Sequence, residues 1–88
     1  MSFFVYVLYS KSFNKIYIGQ TNNLENRMVW HNEKASKGYT LKFRPWKIIY
    51  FEELDSRKNA LIREKQLKSS KGREFIWNEI ILKNGLDS

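Results

Sequence analysis

Eighty-eight residues, 10.6 kDa, leave room for one domain spanning 1–88, since domains seldom fall below about 50 residues. With 42% hydrophobic and 16% aromatic residues and a single Pro, the chain can bury a core, which excludes intrinsic disorder. The lack of Cys excludes disulfide frameworks, thiolate zinc sites and cysteine nucleophiles. Sixteen Lys and Arg against nine Asp and Glu give a net charge of +7 and a pI of 9.8. That excess favours a polyanionic partner, nucleic acid or an anionic membrane surface, or else an acidic substrate. No apolar run approaches the roughly 18 residues of a membrane span, and the first residues carry no basic leader, so a cytoplasmic chain is expected.

Residues 3–9 form an almost unbroken aromatic and aliphatic run, the pattern of a strand covered on both faces. A polar stretch, residues 10–14, leads to the alternating segment 15–19, which predicts a second, antiparallel strand in a hairpin. Thr21, Asn22 and Asn23 supply caps, and Leu24, Arg27, Met28 and His31 recur at i, i+3, i+4 and i+7, so a helix is expected over 23–32. Residues 33–45 are polar and basic, with Gly38 and Pro45, and read as a loop. A third strand follows at 46–51. Asp55 and Ser56 can cap a helix reaching Lys68, with Ala60, Leu61 and Leu67 as its apolar stripe. After a break at Ser69 and Ser70, a last helix is expected to bury Phe75, Ile76, Ile80 and Leu82. The order ββαβαα predicts an α/β (α+β) fold with a three-stranded antiparallel sheet flanked by helices.

Three features sit awkwardly in that frame. Glu64 shares the helix face of Ala60 and Leu67, where a carboxylate needs a cation or a metal ion. Arg27 and His31 lie on the apolar face of the first helix; Arg27 could pair with Glu64 or with a phosphate, and His31 suits a hydrogen-bonded structural role or a catalytic one. Tyr6 falls on the Phe4 and Leu8 side of its strand, whereas Tyr17 points opposite to Ile16 and Ile18. Cross-strand aromatic packing accounts for both tyrosines. A phenol, an arginine, a histidine and a carboxylate converging from two strands and two helices would equally suit phosphodiester cleavage, which needs a base, a cation and a metal-holding acid. Residues 33–73 hold twelve Lys or Arg against five Asp or Glu and so carry the whole positive excess.

The ordered set Phe4-Val5-Tyr6, Tyr17-Ile18-Gly19, Arg27, His31 and Glu64 resembles the GIY-YIG nuclease family over nearly the whole chain. It is most similar to the family's small stand-alone bacterial members. The second triplet matches letter for letter, while Phe4 and Val5 replace the family's Gly and Ile. The resemblance implies a GIY-YIG endonuclease-like fold and a divalent-metal-dependent endonuclease hydrolysing DNA phosphodiester bonds in DNA repair, recombination or processing. It implies that Glu64 binds Mg²⁺ or Mn²⁺, that Arg27 offsets phosphate charge and that Tyr17 or Tyr6 is the general base. Tyr17 is the preferred base, with Tyr6 hydrogen-bonding beside it and His31 assisting proton transfer. Asn78 stands where some family members place an asparagine in the site.

DNA is the expected partner, contacted through Lys37, Lys42, Lys47, Arg63, Lys65 and Lys68, and a partner protein could supply targeting. Two other readings compete. One is a non-catalytic nucleic-acid-binding module of the same fold. The other is a protein-interaction module in which Arg27 and Glu64 form a structural pair.

Overall fold

The computed structural model of the chain describes residues 2–36 and 38–87. Strand β1 (Phe3–Ser10) is the middle strand of an antiparallel sheet of order β2-β1-β3, between β2 (Lys15–Thr21) and β3 (Lys47–Leu54). The middle position explains its composition: from Val5 to Ser10 every residue is buried, so side chains on both faces meet protein. Asn14 takes up the left-handed backbone conformation (φ 54°) that closes the β1–β2 hairpin, and its side chain accepts a 2.8 Å hydrogen bond from the Tyr9 hydroxyl.

Strand parity sorts the side chains into two cores. Val5, Val7, Tyr9, Ile16 and Ile18 face Ala60 and Leu67 of α3 (Arg57–Lys68) and Ile76, Ile80 and Ile81. The last three lie in a π-helical stretch (Ile76–Leu82) that prolongs α4 (Ser70–Phe75). On the other face Tyr6, Leu8 and Trp46 pack with Tyr17, Phe43 and Ile48 and with Leu24 and Met28 of α1 (Leu24–Val29). A further π-helical stretch (Trp30–Lys34) continues α1 and carries His31. A bulge between Val7 and Leu8 shifts the β1–β3 register, so both Ile49 and Tyr50 reach the first core.

The expected caps form: the Asn23 side chain accepts from the Asn26 amide, and Ser56 Oγ from the Asn59 amide. Ser69 ends α3 and begins α4, its hydroxyl donating to the Gln66 carbonyl and accepting from the Gly72 amide.

Four features differ from the sequence expectation. The segment read as a loop contains a one-turn helix α2 (Tyr39–Lys42). Distant partners hold that segment: Trp46 Nε1 donates to the Thr40 carbonyl, Arg44 to the carbonyls of His31 and Ala35, and Asn32 pairs with the Trp46 backbone. Strand β3 extends to Leu54 because β1 continues to pair with it as far as Phe3. Leu61 is 44% exposed, because Ala60, Glu64 and Leu67 take the line of α3 that faces the sheet. Phe75 and Leu82 are also exposed, and Ile81 takes the inward place beside Ile76 and Ile80.

The α3–α4 corner is so tight that a Cβ at Gly72 would overlap the backbone carbonyls of Gln66 and Leu67. Gly→Ala inside a helix ordinarily stabilises. At Gly72 the sign reverses: Gly72→Ala is expected to cost about 1–3 kcal/mol in urea unfolding, and an unchanged midpoint would show that the corner yields.

Candidate active site

The candidate site is built on the α1-covered face of the sheet. Tyr6 of β1 lies opposite Gly19 of β2 in the hydrogen-bonded register. A Cβ at Gly19 would stand 2.6 Å from the Tyr6 hydroxyl and 3.1 Å from the Tyr17 ring. The bare backbone after Tyr17 and Ile18 is therefore what lets the Tyr6 phenol cross β2. There the phenol meets His31, with Tyr6 Oη 2.8 Å from Nε2. Tyr17 stands edge-on to the same imidazole at 4.8 Å between centroids and 6.3 Å from the Tyr6 ring. Tyr6 thus hydrogen-bonds His31, where the sequence reading placed it beside Tyr17.

Burial is the main reason that the Tyr6 hydroxyl is pushed well above the ordinary phenol range; Tyr17 raises it further, Arg27 pulls it down and Glu64 pushes it up. His31 is 1% exposed, and burial, with help from Arg27 and Arg44, pushes its imidazole down to about 4. At neutral pH the phenol is protonated and the imidazole neutral, so the contact is a neutral hydrogen bond whose direction follows the imidazole tautomer. The other ring nitrogen, Nδ1, is buried without a hydrogen-bond partner among the described residues.

Helix α3 packs across the sheet face formed by β1 and β2. Near its start, Arg57 shares a depression with Gln20, Thr21, Asn22 and Arg27. At its end, Lys68 shares a cleft with Ile16, Tyr17 and Ile18. Glu64 lies between these ends, with its side chain 18% exposed and its carboxylate 3.0 Å from Lys68 Nζ. The Arg27–Glu64 ion pair considered from sequence is not formed. The i, i+4 lysine satisfies Glu64, and the Arg27 guanidinium lies 5.2 Å from the centre of the Trp30 ring, with no ion-pair partner among the described residues.

No group of three or more His, Cys, Asp or Glu able to hold a metal ion occurs among the described residues. The donor chemistry of Glu64 nevertheless suits a hard divalent cation. Such ions keep several waters and bind through one or two carboxylates plus substrate phosphate.

The basic residues separate by position. Lys65 is exposed on α3 and Lys42 at the end of α2. Lys68 reaches the Tyr17 cleft. Lys47 pairs with Tyr9 and lines a different depression with Lys11 and Leu86, away from the candidate site. Arg63 is not a free cation: its Nε contacts both Glu52 oxygens at 3.0 Å and Nη2 stands 2.9 Å from Oε2, which ties α3 to β3. Lys37 lies outside the described residues. Asn78 faces Lys71, Glu74 and Glu79 in a separate depression. Sequence reasoning picked out Arg57 as a cation tracking the nucleic-acid backbone but missed Tyr39 and Arg73, both beside β2; Arg73 stood in the basic segment, but nothing local told which cations turn toward the sheet edge.

The family model of the GIY-YIG catalytic domain matches residues 2–78. The chain belongs to the GIY-YIG family. This is a nuclease-type catalytic domain, and the chain is also similar to UPF0213 proteins. It is 37% identical over 84 residues to one from Pediococcus pentosaceus, covering 96% of this chain and 85% of the relative. It is 38% identical over 65 residues to one from Clostridium perfringens, covering 74% of this chain and 69% of the relative. The solution NMR structure of a UPF0213 protein from Bacillus halodurans shares the fold, with a TM-score of 0.52, 23% identity, and 86% of this chain and 82% of that chain covered. In this GIY-YIG domain Phe4 replaces the first motif glycine without breaking the sheet, pairing with Thr21 and Glu53 and packing edge-on against Phe51.

The depressed His31 has a consequence for stability. An unfolded histidine titrates near about 6.5 and the folded one near 4, so between these values the unfolded chain binds more protons. The stability that the neutral ring contributes is present above that window and is lost as pH falls through it. Urea unfolding free energy is expected to fall by roughly 1–3 kcal/mol more between pH 6.5 and 4 in the native protein than in His31→Gln. Parallel pH profiles would show that His31 does not titrate in this way.

Proposed function

We propose that the protein is a divalent-metal-dependent endonuclease that hydrolyses DNA phosphodiester bonds in DNA repair, recombination or processing. The observation that carries this reading is the Tyr6, Tyr17 and His31 cluster at β2, with Arg27 and Arg57 bordering one end of that strand and the Glu64–Lys68 pair bordering the other. The scissile phosphate lies along β2. Arg27, free of any carboxylate partner among the described residues, offsets its charge. Glu64 would hold a Mg²⁺ or Mn²⁺ ion, which would supply Lewis-acid stabilisation of the charge that develops during cleavage.

Tyr17 is the base: once its own hydroxyl proton has passed to solvent in the open cleft, the phenolate Oη takes a proton from the attacking water. It is half-buried and lines the open cleft, whereas the Tyr6 hydroxyl is buried and hydrogen-bonded to His31 Nε2. Tyr6 and His31 position the Tyr17 ring. Arg57 and Lys68, eleven residues apart on α3, span about 16 Å, enough for about five phosphate steps of one strand. A partner protein could add targeting.

The ion pair between Glu64 and Lys68 favours one alternative, a DNA-binding module of the same fold in which the carboxylate stays with lysine and no cleavage occurs. Cleavage assays with Mg²⁺, Mn²⁺ or EDTA separate the two. Glu64→Gln is expected to abolish cleavage with DNA affinity retained, and Arg27→Ala to slow turnover by about 10²- to 10³-fold. Binding without metal-dependent cleavage by the native protein would establish the module instead. Position along β2 also orders the cations. Arg57→Gln is expected to lower the salt dependence of DNA binding by about one unit of slope and Lys47→Gln to leave it unchanged; the reverse result would move the DNA path off this edge.

A further inference from the structure

At the outer edge of β2 lies a cleft of about 300 Å³ lined by Ile16, Tyr17, Ile18, Tyr39, Lys68 and Arg73. The hydrolytic mechanism uses Tyr17 from this set and leaves Tyr39 and Arg73 without a role. Tyr39 is 44% exposed, yet it is firmly held. Its hydroxyl donates to the Ile16 carbonyl at 3.1 Å, and its ring stacks on Trp46 at 5.8 Å between centroids and 29° between planes. Trp46 is only 4% exposed and is anchored by its own indole hydrogen bond to Thr40. Phe43 packs edge-on at 4.8 Å from the Tyr39 centroid. The ring is thus fixed at its tip, backed on one side and bordered at an edge, with its exposed surface beside the cleft. An aromatic so restrained loses little freedom when a flat partner stacks on it.

Two cations stand across the cleft. Lys68 reaches it from the end of α3, and Arg73 Nε donates to the Lys68 carbonyl at 3.1 Å. That bond uses one of the five guanidinium N–H groups and leaves the others for a ligand. Arg73 has no ion-pair partner among the described residues, and its charge reaches the Tyr39 hydroxyl.

We propose that this cleft is a nucleotide subsite, in which an unpaired base stacks on Tyr39 while its phosphate is held by Arg73 and Lys68, next to the phosphate at Tyr17. A base inside a duplex already has neighbours on both faces, so the platform takes a base at an end, a tail or a single-stranded stretch. The subsite rests on the reading of the β2 edge as the DNA path, and it would set which DNA the site accepts.

The test uses a DNA hairpin with a short single-stranded tail, carrying a fluorescent adenine analogue quenched by stacking at successive tail positions. It is bound to the Glu64→Gln protein in EDTA so that nothing is cleaved. One tail position is expected to be quenched. Adding Tyr39→Leu should abolish that quench and lower affinity for the tailed hairpin by about ten- to a hundredfold, whereas Tyr39→Phe should retain both. Arg73→Gln should reduce the salt slope by about one unit.

Equal binding of blunt and tailed hairpins, or a quench that persists in a Tyr39→Leu protein with native circular dichroism, overturns the subsite. Should Tyr39→Leu not fold, an unchanged salt slope in Arg73→Gln overturns it. Parallel cleavage assays with Mg²⁺ keep the two proposals apart. Glu64-dependent cleavage without a Tyr39-dependent quench sinks the subsite alone, and a Tyr39-dependent quench without cleavage supports the subsite and sinks the nuclease reading.

Discussion

The missing side chain at Gly19 is the constraint on which the candidate site depends. The Tyr6 phenol crosses β2 where any Cβ would stand 2.6 Å from its oxygen, and only from there can it meet His31, a residue with 1% of its surface exposed. Burial then decides the proton. It raises the phenol, lowers the imidazole and leaves a neutral hydrogen bond, whereas a charged pair in the same place would carry a large desolvation cost. Tyr17 rests edge-on against that imidazole, so the ring in the cleft inherits its position from the buried pair beneath it.

Helix α3 divides its tasks between neighbouring residues. Arg63 leans toward β3 and grips Glu52 with two nitrogens, while Tyr50 donates to the same carboxylate at 2.5 Å. Burial pushes the Glu52 carboxyl up, but the hydrogen bonds from Arg63 and Tyr50 and the charge of Arg63 outweigh it and hold the carboxyl below its ordinary range. Glu64, with its side chain 18% exposed, has a flexible lysine one turn ahead as its ion-pair partner among the described residues. The first is a clamp in which each charge is satisfied by several groups. The second is a single i, i+4 contact of small intrinsic strength, which a stronger cation or a phosphate can displace. One helix thus both fastens to the sheet and presents an exchangeable carboxylate.

The basic excess follows the same division. Arg44 is spent on backbone carbonyls, Arg63 on Glu52, and Lys47 faces away from β2. Arg27, Arg57 and Arg73 remain along one sheet edge, where Lys68 is paired with Glu64. Net charge alone gave a weak signal because it counts all of these equally. A polyanion responds to position, and the cations beside β2 are the ones next to the candidate site.

Much of the frame was legible from local pattern. The apolar run of β1 required cover on both faces, alternation in β2 placed Tyr17 opposite Ile16 and Ile18, and Asn23, Ser56 and Ser69 marked helix ends that the structure reproduces. The 3.6-residue period put Leu24, Arg27, Met28 and His31 on one face of the first helix and Glu64 among the inward positions of α3, and these residues are all at least half-buried. The sequence by itself therefore determined the elements, the strand parity and the set of chemical groups turned toward the sheet, because these depend on spacing within a single segment. Only the tertiary structure decided that Glu64 meets Lys68 and not Arg27, that Arg63 is a clamp, that Leu61 stays exposed, that residues 39–42 form a helical turn and that Tyr39 is fixed beside the cleft. Each of those outcomes depends on how segments far apart in the chain are brought together, and a local pattern carries no record of those distances.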